Sequence, residues 1–168
     1  ALVRKQIKNV PYILLDNPYY ADSLYGDATG EHQELRSIFL SLGALEAKKA
    51  FNIYPSIVAG HDWMCAPLMA HLNSNNSLYK HDKHFTGVVP ITWIHNNGQD
   101  YQFKTARYQD GVDLLGNLGL PAQDYGWFID PHQGQLINFM AGLIRHARLS
   151  IAGSPGQHGV RRVKNQQG

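Results

Sequence analysis

Ile57-Val58-Ala59-Gly60-His61-Asp62-Trp63-Met64 is a short apolar run that stops at a His-Asp-Trp set, just before a helical pattern through Ala66, Leu68, Met69 and Leu72. A run of this length bounded by turn signals reads as a buried strand. In open α/β sheets, ligands bind beyond the carboxyl ends of such strands, where the chain turns into a helix. Residues 87–94 (GVVPITWI) repeat the arrangement and end at His95-Asn96-Asn97-Gly98, and Leu149-Ser150-Ile151 reads as a further short strand. Upstream, residues 10–15 (VPYILL) stop at the turn signal Asp16-Asn17-Pro18 and read as a buried first strand. Leu35, Ile38, Phe39, Leu42 and Leu45 recur at helical spacing within 31–52, with Arg36, Glu46, Lys48 and Lys49 on the other faces. Ile137, Met140, Ala141, Ile144 and Ala147 predict another helix, whereas 17–30 and 73–85 read as loops and 99–131 as short helical pieces and turns. Strand and helix in alternation predict an α/β fold, a parallel sheet flanked by helices. If the strands ending at His61 and His95 are parallel neighbours, both imidazoles face one crevice.

Composition narrows the classes. A chain of 168 residues with 43% hydrophobic content is expected to form one core, over residues 1–155, with 156–168 as a flexible or truncated tail. Net charge is only +2, and the excess sits in Arg161, Arg162 and Lys164, so no basic face interleaved with aromatics points to nucleic acid. The lone Cys65 rules out an internal disulfide, suits packing, and makes a reducing, intracellular setting the default expectation. No apolar run approaches the roughly 20 residues that span a bilayer, and residues 1–9 lack the apolar stretch of a signal peptide, so no membrane association is expected. Nine histidines are present without a metal-helix spacing. His81 and His84, in KHDKH, come closest and read as a solvated loop; no metal is expected.

Beyond these patterns, a series of blocks carries a resemblance. They are residues 10–26 (VPYILLDNPYYADSLYG), 36–46 (RSIFLSLGALE), 55–63 (PSIVAGHDW), 92–96 (TWIHN), 118–121 (LGLP) and 139–155. In this order they resemble the N-terminal catalytic domain of starch and glycogen synthases, retaining glucosyltransferases of the two-domain GT-B type. The resemblance implies a Rossmann-like half whose partner domain, holding ADP-glucose or UDP-glucose, follows the point where this sequence stops. An α-1,4-glucan acceptor would approach over the first half, with no cofactor, in a cytoplasmic or plastid setting. The chain departs from the family in three places. No Lys-x-Gly-Gly-Leu loop precedes Val10, and the family's His-x-His-Asp-Trp-His reads Ala59-Gly60-His61-Asp62-Trp63-Met64. Its Phe-Leu-Lys-Ala-Gly reads Phe139-Met140-Ala141-Gly142-Leu143, without the basic residue. The family's last His offers its backbone carbonyl near the anomeric carbon, a role the resemblance passes to the carbonyl of Met64. Lys and Arg donors that neutralise a departing phosphate are missing from the matching blocks. The expected function is therefore glucosyl transfer to an α-glucan, weak or absent in this chain alone. The alternative is a non-catalytic glucan-binding module or an assembly subunit that oligomerises.

Under that resemblance His61, Asp62, His95 and Asn96 become candidate substrate-binding residues, with Gln99 and Tyr101 extending the wall. A neutral polyol needs several donors and acceptors, which His and Asn both supply. A purely structural polar role remains open for His61 and Asp62. Trp63 is expected to fill the core rather than stack on a sugar. Asn17, Tyr19 and Tyr20 suit either a glucan-binding loop or ordinary turn chemistry, and Arg36 a solvated helix face.

Overall fold

The computed structural model describes residues 2–17, 33–96, 98, 101–109 and 111–153. The loop with Tyr19 and Tyr20, Gln99 and the tail 156–168 lie outside the described residues. At the centre is a three-stranded parallel sheet in the order β3 (Ile57–His61), β4 (Val89–Ile94), β9 (Leu149–Ala152). Its register sets His61 opposite Trp93 and Trp93 opposite Ile151. Helix α2 (Ala66–Asn73) crosses from β3 towards β4, and α3 (Phe139–His146) precedes β9. All three strand ends therefore point the same way, as the alternation of elements predicts.

The strands are not buried on both faces. Val58, Gly60, Pro90, Thr92 and Ile94 are buried, while Ile57 is 60% exposed and Leu149 53%. This corrects the reading of Ile57-Val58-Ala59 as a wholly buried run: α2 and α3 cover one face, and the alternate residues stand on the other. Such a division makes the period-2 alternation of a half-covered strand. Helix α2 is buried from Ala66 to Leu72, apolar but for His71, because it packs on α1 (Gln33–Ala50), α3 and the sheet at once. Leu114, Leu115 and Leu118, beside the 3₁₀ turn Gly116–Leu118, complete that core. Helix α1 ends where Asn52 turns left-handed at φ 53 and the Ile53 N–H reaches back to the Lys48 carbonyl.

Two further corrections concern element boundaries. Residues 10–15 do not join the parallel sheet. As β2 (Val10–Leu15) they pair antiparallel with β1 (Leu2–Ile7) through a turn at Lys8 and Asn9, both at positive φ, the geometry that matches strand twist in a two-residue hairpin. Val10, Tyr12 and Leu14 are exposed, and Leu15 sits against Gly43 of α1, where a Cβ would come within 2.7 Å of its Cδ1. Ile137 belongs not to the last helix but to β8 (Leu136–Asn138), which pairs antiparallel with β5 (Lys104–Ala106), while β6 (Tyr108–Gln109) pairs antiparallel with β7 (Val112–Asp113). The Asn138 side chain caps α3 by accepting the Ala141 N–H.

The loop read as solvated around His81 and His84 is pinned to the core. His84 is buried, its Nδ1 2.8 Å from Asp82 and its ring stacked on Tyr54. Asp124 accepts hydrogen bonds from Ser74 Oγ at 2.6 Å and Asn76 Nδ2 at 3.1 Å, tying the far end of α2 to the turn Ala122–Phe128. No helix among the described residues is long and apolar enough to cross a membrane.

Two outcomes follow from this packing. A Cβ at Gly142 of α3 would lie 2.5 Å from ring atoms of Phe128, which is itself fully buried. Gly→Ala inside a helix ordinarily stabilises, but here Gly142→Ala should cost about 1–3 kcal/mol through overpacking, read as a lower urea midpoint with an unchanged slope. His146 is 2% exposed between Trp127 and Phe128, and burial holds its imidazole pKa down to about 4, from an ordinary 6.5. The unfolded chain therefore takes up the proton first as pH falls, and stability on the order of 3 kcal/mol should be lost between pH 6.5 and about 4. Urea titrations across that range should show His146→Phe flattening the slope, with the smaller share of His71, also lowered by burial, remaining.

Candidate functional site

Strand β3 delivers His61 and Asp62 to the carboxyl edge of the sheet, and β4 delivers His95. Asp62 takes φ 57 and ψ −178, a region that is essentially glycine-only. Four contacts hold it there. Its N–H donates to the Trp93 carbonyl at 3.0 Å, and its own carbonyl accepts the Cys65 N–H at 3.1 Å, opening the turn Trp63–Cys65. Its carboxylate accepts the His95 N–H at 2.8 Å on Oδ1 and the Tyr101 hydroxyl at 3.3 Å on Oδ2. A single buried side chain thus ties the ends of two strands and an incoming loop together.

His61 Nδ1 and His95 Nε2 lie 2.8 Å apart, with ring planes within 12° and centroids 5.2 Å apart. That separation is about the contact distance plus both ring radii, so the imidazoles meet edge to edge, nearly in one plane. One ring donates and the other accepts, and because Nδ1 of one faces Nε2 of the other, two neutral rings do this in the same tautomer. Of the two outer nitrogens, His61 Nε2 and His95 Nδ1, one then carries a proton and one is bare. With both rings neutral, the pair presents one donor and one acceptor at its outer nitrogens. Gly60 permits the tight turn below, since a Cβ there would come within 2.7 Å of Cys65 Cβ and 2.8 Å of Met69 Cε.

Tyr101 arrives on a segment docked to the start of α3. The Met140 N–H donates to the Gln102 carbonyl and the Phe139 N–H to that of Phe103. Beneath it, Asn138 Nδ2 donates to Asp130 at 2.8 Å, and Lys104 Nζ lies 3.1 Å from the same carboxylate. Burial alone would raise the Asp130 pKa, but the Asn138 amide, the His132 and Gln133 N–H groups and Lys104 together hold it down to about 2. The anchor of the Tyr101 segment stays ionised at any ordinary pH.

His61, Asp62, His95 and Tyr101 therefore come together. Asn96 is exposed beside them, its Oδ1 accepting the Gly98 N–H in a local turn. The Met64 carbonyl is turned towards α1, where it accepts hydrogen bonds from Ser37 Oγ at 2.7 Å and Ser41 Oγ at 3.3 Å. Trp63 is 5% exposed and stacked on Phe103 at 4.5 Å, inside the core. Arg36 is half-buried. Burial raises the Cys65 thiol pKa, which keeps it an unreactive packing group. Sequence reasoning passed over three neighbours. Ser37 and Ser41 lie one helical turn apart on the buried face of α1, and that spacing was the available signal. Trp93 stands 38% exposed beside His61, with ring planes within 4° and centroids 6.1 Å apart; its signal was the alternation of β4.

The family model for the starch synthase catalytic domain matches residues 1–158. The chain is 32% identical over 114 residues to a glycogen synthase of Geotalea daltonii, covering 64% of this chain and 22% of that protein. It is 28% identical over 147 residues to one of Geotalea uraniireducens, covering 84% and 28%. Among solved structures, the catalytic domain of starch synthase IV from Arabidopsis thaliana, bound to ADP and acarbose, superposes with a TM-score of 0.69 at 22% identity. That match covers 92% of this chain and 30% of the other. The chain thus spans roughly a quarter of the length of these curated relatives.

The strain at Asp62 makes a distinctive substitution order. Asp62→Ala loses the carboxylate and keeps the strained backbone, whereas Asp62→Gly loses the carboxylate and relieves the strain. Glycine should be the more stable variant by about 1–3 kcal/mol, measured by urea unfolding, although glycine is normally the costlier residue.

Proposed function

Since the chain belongs to the family of starch synthase catalytic domains, we propose that its sheet edge is the glucan-side wall of a site that moves glucose from ADP-glucose or UDP-glucose to the non-reducing end of an α-1,4-glucan. The fold is that of one Rossmann-like half of a GT-B glycosyltransferase. The observation that carries the reading is the 2.8 Å contact between His61 and His95, held by the Asp62 carboxylate at the strand ends. A neutral sugar presents hydroxyls that both give and take hydrogen bonds, and the imidazole pair meets it with one donor and one acceptor. Tyr101 and Asn96 extend the wall, and Gln99 follows in the chain. Positive charge for the departing diphosphate comes from outside this cluster, so the wall grips the acceptor without needing the donor.

One observation favours a second reading, a glucan-binding module without turnover. A carbonyl oxygen has two lone pairs, and the Ser37 and Ser41 hydroxyls occupy the Met64 carbonyl. Held there, it is withdrawn from a reacting anomeric carbon.

Calorimetric titration of residues 1–168 with maltoheptaose tests the shared claim. Binding should occur without ADP-glucose, and His95→Ala should weaken it about tenfold or more, the worth of one well-made hydrogen-bonding set. Absence of any binding by the unaltered chain would remove both readings. Transfer of labelled glucose from ADP-glucose to maltoheptaose separates them: measurable elongation supports the enzyme, and binding without elongation supports the module.

A further inference from the structure

We infer that Trp93 forms a stacking subsite for a glucosyl ring of the α-glucan, an inference that rests on the reading of the adjoining cluster as a glucan-side wall. Of the outward residues on β4, Trp93 alone stands at the carboxyl edge, level with His61 and two residues before His95. Its backbone is fixed on both sides, by the ladder to β9 at Ile151 and by the Asp62 N–H bonded to its carbonyl. A side chain on the central strand of a sheet is held more rigidly than one on a loop, which suits a flat contact surface.

The indole plane lies within 4° of the His61 ring, and the His61 ring within 12° of His95. An apolar aromatic surface therefore runs beside the imidazole pair in nearly constant orientation. Sugar rings carry hydroxyls around the rim and C–H groups on their faces. A binding site for them combines an aromatic wall with a few placed donors and acceptors, and Trp supplies a large rigid area with one polar handle. The stacking role considered for Trp63 thus falls to Trp93, since Trp63 is enclosed by Phe103 and Phe139.

A protein partner laid on the open face would instead be expected to centre on its aliphatic amino-terminal part, Ile57, Val89 and Leu149. Trp93 is set apart from that patch by its place next to the polar groups.

The three tryptophans make a localised test. Maltoheptaose should change the intrinsic fluorescence of the unaltered chain. Trp127, exposed near His146 and away from the cluster, serves as the control. Trp127→Phe should keep both the signal and the affinity. Trp93→Phe should abolish most of the signal while holding affinity within about threefold, and Trp93→Ala should weaken binding about tenfold, with circular dichroism checking that each variant is folded. Should Trp93→Ala fail to fold, loss of the signal in Trp93→Phe still decides the matter. Wild-type affinity in Trp93→Ala, or an undiminished signal in Trp93→Phe, overturns the subsite while leaving the glucan wall intact, even if self-association changes. No binding by the unaltered chain removes the wall and the subsite together.

Discussion

The bond from the His95 N–H to the Asp62 carboxylate is the constraint on which the site depends. Parallel strands end without a local turn to join them, so their tips would ordinarily be free to splay. Here the side chain of one strand end caps the backbone of the next, and the same carboxylate receives the Tyr101 hydroxyl. Because Asp62 must also bend from a strand into the turn Trp63–Cys65, it occupies backbone space that few residues enter. The cost in conformation is offset by contacts made only when both strands are in register. Site geometry and sheet formation are for that reason one cooperative event.

Packing beneath the edge serves the same end. Two glycines allow close approach where it counts: Gly60 lets β3 come down on Cys65 and Met69, and Gly142 lets α3 lie on the Phe128 ring. With α2 enclosed on every side, the floor of the site is dense and leaves little freedom for His61 to shift. The Asn138 to Asp130 contact performs a matching service at the other wall, fixing the segment that brings Tyr101.

Much of this was legible in the order of residues. Short apolar runs ending at His61 and His95 located two neighbouring parallel strands, and the spacing of Leu35, Ile38 and Leu45 located α1. Legibility failed where the outcome depends on what lies across from a residue. Strand β1 escaped notice because Arg4 and Lys5 interrupt its apolar content, and without it β2 looked like part of the central sheet. Which face of β3 is covered depends on the side taken by the crossover helices, which the apolar content of Ile57-Val58-Ala59 does not reveal. The orientation of the Met64 carbonyl is decided by two serines more than twenty positions earlier, and no local pattern announces such a partnership. Trp93 was hidden for a related reason: inside an apolar stretch, an indole turned to the surface is spelled no differently from one turned to the core.

The hairpin of β1 and β2 has a consequence of its own. Among the described residues it packs on α1, with Leu15 against Gly43, while the central sheet packs on both α2 and α3. Its amide protons should accordingly trade with solvent deuterium through small excursions that leave β3, β4 and β9 undisturbed. The molecule then comprises two units of unequal tenacity, the edge that carries His61 and His95 belonging to the more tenacious one.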